Sequence, residues 1–129
     1  MKITIPISVG ELLDKISILQ IKSQHINNSY VTKELDYLIE IAKENKVYNQ
    51  EFLNQLLEVN SKLWTIEDTL REFEKKHVFD DEFIRNARLV YITNDKRAKI
   101  KKEINEKYNS EYQEVKCYKC RVNANFNFL

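Results

Sequence analysis

The sequence predicts a mainly all-α protein in which about four helices form an antiparallel bundle. Three observations lead to this fold class. The 129 residues include one glycine and one proline, whereas sheet-rich folds use such turn residues far more often. Long segments place apolar residues at the spacing of three and four that is typical of helices. Hydrophobic residues make up 43% and charged residues 32% of the chain, a composition that suits one globular domain.

The first segments predict a short strand followed by a helix. Residues 2–7, KITIPI, place three isoleucines on one face by alternation, and Pro6 restricts such a strand to the edge of a sheet. Ser8 and Glu11 form a Ser-x-x-Glu capping box, which marks the start of the first helix. Its apolar positions continue until the polar residues 27–29 end it.

Three further helices follow at intervals set by polar loops. The second is predicted over residues 30–45 and the third over residues 50–76. The apolar side chains of the third helix step by four and three in a strict heptad pattern, which predicts a coiled-coil-like neighbour within the chain or across a dimer. The fourth helix is predicted over residues 82–107, with Asp80 or Asp81 as its N-cap.

The C-terminal part of the sequence differs from the helical part. Residues 112–118, YQEVKCY, predict a second short strand. We therefore expect a helical-bundle domain over residues 1–118 and a tail over residues 119–129 that is either disordered or docked on a partner. Cys117 and Cys120 have too few nearby ligands for zinc and no βαβ context for a redox pair. Two reduced thiols are expected, and neither a metal nor a cofactor is predicted.

The charge and hydropathy of the chain exclude several classes of partner. A net charge of +1 creates no field that would attract nucleic acid or an anionic membrane. The basic run over residues 96–102 lacks the interleaved aromatic residues that stack on bases. No signal peptide and no apolar stretch of about 18 residues is present. A cytoplasmic protein without a membrane span is expected, and nucleic acid is not an expected partner.

Polar residues at the borders of three helices form the candidate site. Asn94 follows Tyr91 by three positions, so we predict that it is at least half buried and hydrogen-bonded to the first or third helix, with Asp95 more exposed. Polar borders that face one another would make a pocket in the bundle. In the alternative, Asn94 sets helix register, and the polar pairs of the third helix are surface ion pairs. The candidate ligand-binding residues are Lys15, Lys22, Trp64, Glu67, Asp68, Arg71, Arg88, Tyr91, Asn94, Asp95 and Arg97.

Two functions fit these residues. In a helical enzyme or a binder of an anionic metabolite or sugar phosphate, Arg88 or Arg97 would hold the anion and Glu67 or Asp68 would act as general base. A phosphate held by Arg97 and Lys101 is a variant of this hypothesis. In the other function, the chain is a helical binding or accessory module that works with a protein partner or with itself. No catalytic signature is present, so the sequence leaves open whether the protein is an enzyme.

Three segments carry a resemblance to a known family. They are ISVGELLDKISILQIKSQHI, LWTIEDTLR and YITNDKRAKIKKEIN. In order and spacing, from residue 3 to about residue 118, they resemble small bacterial proteins catalogued only as a domain of unknown function, with SxGELLDKI and TNDKRA as the most specific motifs. Members of that family often occur beside genes for surface-polysaccharide or lipopolysaccharide glycosyltransferases. The resemblance therefore implies an accessory role in glycan assembly and assigns no catalytic residue, while the tail after Lys116 departs from the family's usual ending.

A weaker resemblance connects the first helix with the all-helical chorismate mutases. It rests on the apolar rhythm around the LLDKI segment. Those enzymes hold a dicarboxylate with arginines from several helices, and the first helix here contains no arginine. Lysines would have to replace a planar guanidinium with a point charge.

Overall fold

The computed structural model describes residues 1–119 and contains four helices. Helix α1 spans Val9–His25, α2 spans Ser29–Glu44, α3 spans Gln50–Lys76 and α4 spans Asp81–Lys107. Helices make up 73% of the described residues. The mainly all-α fold is confirmed, and the helix bounds agree with the predicted ones to within one or two residues. None of the four helices is both long and apolar enough to cross a membrane.

Each helix begins at a side chain that caps it. A side-chain oxygen of each cap accepts a hydrogen bond from a backbone N–H in the first turn, which satisfies a donor that has no partner inside the helix. Helix α3 ends at His77, whose φ of 53° is left-handed. In a chain with one glycine, other residues must take the left-handed position that closes a helix. The four N-cap residues are Ser8, Asn28, Asn49 and Asp80.

Helices α3 and α4 lie antiparallel along their whole length. At one end, the side-chain amide of Asn49 donates to the Tyr108 hydroxyl at 2.9 Å. At the other end, the rings of Phe73 and Phe83 meet edge to face with centroids 6.3 Å apart. Each helix has 27 residues and is therefore about 40 Å long, whereas the 17 residues of α1 span about 25 Å.

The hydrophobic core lies at one end of this long helix pair. Helix α1 contacts the other three helices, and α2 packs against α1. The main core cluster contains no residue between positions 57 and 99. Ile66 is also buried, but no side chain from residue 67 to residue 92 is fully buried. Residues 67–92 therefore form a two-helix arm that extends from the core. The buried core residues are Leu12, Leu13, Ile16, Leu19, Leu35, Ala42, Leu53, Leu56 and Ile104.

The two predicted strands do not form. Residues 2–7 and 112–118 have no strand structure, because neither segment has a neighbouring strand with which to exchange backbone hydrogen bonds within residues 1–119. The first segment runs beside α2, where the Lys2 ammonium lies 4.8 Å from the centre of the Tyr37 ring. The alternating isoleucines of this segment stay exposed.

The C-terminal predictions have mixed outcomes. Cys117 is disulfide-bonded, so the expectation of a reduced thiol is wrong for this residue. Cys120 and the rest of the predicted tail, residues 120–129, lie outside the described residues, and the prediction of a disordered or docked tail stays a prediction.

Candidate functional site

A group of polar side chains is buried where α1, α3 and α4 meet. The side-chain amide of Asn60 donates to Asp14 Oδ1 and to Ser17 Oγ, both at 2.8 Å. Its carbonyl oxygen accepts from Arg97 Nη1 at 3.3 Å, and Arg97 Nε lies 3.9 Å from Asp14 Oδ2. Asn60 thus connects all three helices. We call Asp14, Ser17, Asn60, Arg97 and Lys101 the polar cluster.

Lys101 completes the cluster on α4 and is only 6% exposed. Its ammonium lies 2.8 Å from a carboxylate oxygen of Glu11 and 2.8 Å from one of Glu114, and 3.8 Å from Asp14 Oδ2. The Glu11 carboxylate therefore reaches across to α4. The predicted capping box is only half formed, because Ser8 caps α1 while the Glu11 side chain binds Lys101.

The pKa directions agree with this geometry. Burial alone would lower the pKa of Lys101, but the hydrogen bonds with Glu11 and Glu114 and the charge of Asp14 outweigh it, so the pKa of Lys101 is raised. The hydrogen bond with Lys101 is the largest influence on Glu114 and lowers its pKa. A buried ammonium surrounded by three carboxylates stays charged, and this charge connects α4 with α1 and with the segment that follows α4.

The single glycine of the chain allows α1 to approach α4 closely. The backbone N–H of Gly10 donates to Asn105 Oδ1 at 2.7 Å. A Cβ atom at this position would lie 2.6 Å from the Lys101 carbonyl oxygen and 2.9 Å from Asn105 Oδ1. A side chain therefore cannot be added to Gly10 without moving the two helices apart.

The polar cluster offers neither space nor charge for an anionic ligand. The cavity beside Lys101 has a volume of about 30 Å³, which suits a few water molecules rather than a metabolite. Three cations, Arg97, Lys101 and Lys116, face three carboxylates, from Glu11, Asp14 and Glu114. These charges sum to about zero, so no positive charge is left over.

Two buried oxygen atoms near the cluster lack hydrogen-bond partners within the described part of the chain. They are Thr93 Oγ1 and Gln20 Oε1. Thr93 lies one helical turn before Arg97 and is buried. Neither residue lines the cavity beside Lys101, and we assign no ligand to them.

Of the eleven predicted site residues, only Arg97 belongs to the polar cluster. Lys15 is half exposed and pairs with Glu34 of α2 at 2.9 Å. Trp64 stacks on His25, with ring centroids 4.8 Å apart. Lys15 thus contacts α2 from α1, whereas Trp64 contacts α1 from α3.

The other predicted residues lie on separate parts of the surface. Glu67 and Arg71 form an exposed ion pair at 3.5 Å along α3. This agrees with the alternative interpretation, in which the polar pairs of the third helix are surface ion pairs. Tyr91 is 56% exposed instead of facing the interior. The structure therefore does not bring the predicted residues together into one pocket. Five of the predicted residues have exposed or partly exposed side chains and do not contact the polar cluster. They are Lys22, Asp68, Arg88, Asn94 and Asp95.

The prediction for Asn94 is confirmed in part. Asn94 is mostly buried and Asp95 is exposed, as expected. The predicted hydrogen bond to α1 or α3 is wrong, since the hydrogen bonds within residues 1–119 include none from the Asn94 side chain. The inward polar stripe of α4 begins at Thr93 and continues with Arg97 and Lys101, one residue away from the stripe that the sequence favoured.

The tip of the arm presents aromatic side chains to solvent. Phe79 is 52% exposed and Val78 is 37% exposed, in the turn between α3 and α4. The Phe79 ring meets Phe83 edge to face at 5.1 Å, and Phe83 in turn meets Phe73. We call these four residues the arm tip. The edge-to-face contacts among the three phenylalanine rings support Phe79 outside the core.

Comparison with known proteins gives one family. Residues 1–127 match a family described as "Family of unknown function (DUF6165)". The chain belongs to this family. The match extends to residue 127. It therefore includes most of the C-terminal tail, although the tail sequence was expected to depart from the family's usual ending. No curated protein and no solved structure matches the chain.

The two motifs that carried the resemblance meet in the structure of this DUF6165 member. Asp14 of the first motif contacts Arg97 of the second. Sequence analysis missed Ser17 as a member of the site, and it left Asn60 and Asp14 out of the candidate ligand-binding residues. Asn60 continues the spacing of three and four set by Leu53 and Leu56, so a polar residue in an apolar stripe was the signal that could have found it.

Proposed function

We propose that this protein is a helical interaction module that binds another protein through its arm tip, as an accessory in surface-glycan assembly. The observation that supports the binding role is the exposed Phe79 at the end of a two-helix arm. Aromatic residues, phenylalanine among them, are enriched in the buried centres of protein–protein interfaces. The glycan part of the proposal rests on the gene neighbours of the family that the chain resembles.

The charges around the tip favour a protein as the partner. Lys75 and Lys76 end α3, and Asp80 and Asp81 begin the next helix. Both signs therefore flank Phe79. Phosphate groups of a membrane or a nucleic acid would be repelled by the acidic side of the tip, whereas a protein pocket with an apolar centre and a charged rim fits it.

The alternative function, binding of an anionic metabolite or sugar phosphate, has weaker support. Arg97 and Lys101, the two cations that could hold a phosphate, are paired with carboxylates. Glu67, one of the two proposed general bases, lies in an exposed ion pair. A chorismate-mutase-like site would need several unpaired cations around one pocket.

The proposal is tested by affinity capture with matched variants. The tagged full chain is used to recover proteins from a lysate of its native host, in parallel with Phe79→Lys and Tyr30→Lys. Tyr30 is 83% exposed on α2, so Tyr30→Lys changes an exposed aromatic residue far from the tip. We expect a protein that is recovered by the wild type and by Tyr30→Lys but not by Phe79→Lys.

A recovered protein supports the proposal only when it binds in purified form. Mass spectrometry identifies it, and titration calorimetry compares its affinity for the wild type with that for Phe79→Lys. A loss of at least tenfold in affinity is expected, equivalent to about 1.4 kcal/mol. Equal affinities for the wild type and for Phe79→Lys would overturn the proposal. A change of this protein from dimer to monomer as the only effect of Phe79→Lys would also overturn it, because the tip would then bind a second copy of the chain.

A further inference from the structure

One ridge of α3 runs from the polar cluster into the arm. Its members recur every four residues, the spacing that forms a ridge along a helix. Asn60 donates to Asp14 of α1. Trp64 stacks on His25, the last residue of α1. Helix α1 therefore covers the beginning of the ridge and ends beside Trp64. The members of the ridge are Asn60, Trp64, Asp68, Glu72 and Lys76.

Beyond Trp64 the same ridge borders an open groove on α3. The groove has a volume of about 470 Å³ and is lined by Asp68, Thr69, Glu72, Phe73 and Lys76. Three of these residues are members of the ridge, and all five belong to α3. The groove is therefore the place where a helix that followed on from α1 would lie.

The arm has the packing of a helix pair that lacks a third helix. Leu53 and Leu56 of α3 lie in the core with α1 and are fully buried. Leu70 and Phe73 lie beyond the end of α1 on the same helix and are only partly buried. A third helix in the groove would cover Phe73 as α1 covers the core end of α3.

The charges of the groove favour a basic occupant. Asp68 is exposed and belongs to none of the ion pairs among residues 1–119. Glu72 pairs with Lys76 at 3.6 Å, and both side chains are more than half exposed, so a new partner can replace this weak pair. Two carboxylates and one ammonium line the groove, which leaves one negative charge for a lysine or arginine to neutralise.

We propose that the partner protein of the arm presents a basic amphipathic helix that lies in this groove as a continuation of α1. An apolar residue of that helix contacts Phe73, and a lysine or arginine faces Asp68. The proposal rests on the proposed function and deepens it, since Phe73 belongs both to the groove and to the arm tip. The groove and the exposed Phe79 then form one continuous binding surface.

Photo-crosslinking locates the partner helix. The photoreactive residue p-benzoylphenylalanine replaces Thr69 of the full chain, and in a matched control it replaces Arg71, which is 78% exposed and lies about 200° around α3 from Thr69. Each protein is irradiated with the purified partner, and mass spectrometry identifies the crosslinked peptide. We expect position 69, but not position 71, to crosslink a partner peptide that has lysine or arginine beside apolar residues at helical spacing.

Charge reversal tests the contact at Asp68. Asp68→Lys should weaken binding of the purified partner about tenfold. The matched variant Glu67→Lys makes the same change of charge at a neighbouring exposed residue and should change the affinity by less than about twofold. Circular dichroism and the melting temperature show that both variants are folded. Replacing the crosslinked basic residue of the partner with glutamate should restore binding to Asp68→Lys.

The outcomes separate this proposal from the proposed function. Affinity that is lost in Phe79→Lys but unchanged in Asp68→Lys would overturn the groove and leave the arm tip as the binding site. Affinity that is lost in Asp68→Lys but unchanged in Phe79→Lys would support the groove and overturn the tip. A crosslink from position 69 to a second copy of this chain, or to an acidic peptide, or no crosslink at all, would overturn the basic helix.

Discussion

Asn60 donates a hydrogen bond of 2.8 Å to Asp14 in the interior of the molecule. Both side chains are almost fully buried, so water cannot replace either of them as a hydrogen-bond partner. A buried carboxylate is tolerated in a protein only with such partners. The contact between these two residues joins α3 to α1 and, through Arg97, to α4. We therefore interpret the polar cluster as a structural feature that fixes how three helices meet.

Replacing Asn60 by Leu should destabilise the protein more than the same change at Asn94. The first change leaves Asp14 and Ser17 without a donor and should cost about 2 kcal/mol. The Asn94 side chain makes no hydrogen bond within the described residues, so Asn94→Leu should leave the free energy of unfolding unchanged or raise it slightly. Urea denaturation of both variants measures the difference. Equal losses at the two positions would contradict this account of the cluster.

Gly10→Ala should loosen the contact between α1 and α4. The added Cβ meets the Lys101 backbone carbonyl, which cannot rotate away, and overpacking of this kind costs about 1–3 kcal/mol. Thermal unfolding measures the effect, with Gln24→Ala, at an exposed position of α1, as the control. A melting temperature for Gly10→Ala at or above that of the wild type would show that the two helices separate without cost.

Lys101→Met should be far more damaging than Lys102→Met. Among residues 1–119, the first variant removes the only cation within hydrogen-bonding distance of Glu11. It also leaves the buried Asp14 with less compensation, at a cost of about 3 kcal/mol. Lys102 is exposed, and its substitution should change the free energy of unfolding by less than about 0.5 kcal/mol. Chemical denaturation at neutral pH compares the two. Similar values for both would mean that the buried ammonium contributes nothing to stability.

The segment that follows α4, residues 110–116, should respond to acid through Glu114. Because Lys101 lowers the pKa of Glu114 in the folded protein, the unfolded chain takes up the proton first as the pH falls. The contribution of Glu114 to stability is complete above the unfolded pKa of about 4.3 and is lost as the pH falls through the lower folded pKa. Glu114→Gln should therefore reduce the acid dependence of the free energy of unfolding.

Denaturation midpoints at a series of pH values from neutral to strongly acidic measure this change. Glu111→Gln, at an exposed glutamate of the same segment, is the control and should keep the wild-type slope. A Glu114→Gln variant with an unchanged slope would show that the contact between Glu114 and Lys101 does not form in solution.

Local signals were sufficient to predict the helices. Ser8 and Asp80 are cap residues recognisable from sequence, because a capping side chain bonds to the backbone only two or three positions away. The terminal strands failed for the opposite reason. Alternation at residues 2–7 shows that a segment can be a strand, but a strand needs a neighbour that local sequence does not reveal.

The site was harder to predict because it depends on where helices cross. On α4 the stripe through Tyr91 and Asn94 and the stripe through Thr93 and Arg97 lie side by side, and helical spacing alone supports both. The crossing of α1 selects the second. Contacts such as that between Glu11 and Lys101 join residues 90 positions apart, and a single sequence contains no direct record of such a pairing.

A comparison of Phe79→Lys with Asn60→Leu tests the central claim most directly. This claim is that the polar cluster serves the fold while the arm tip serves binding. The affinity of the captured protein and the melting temperature are measured for both variants, with affinity determined where circular dichroism shows each to be folded. We predict that Phe79→Lys melts as the wild type does and loses the partner, and that Asn60→Leu melts earlier and keeps it. A folded Asn60→Leu that loses the partner, or a Phe79→Lys that keeps it, would contradict the claim.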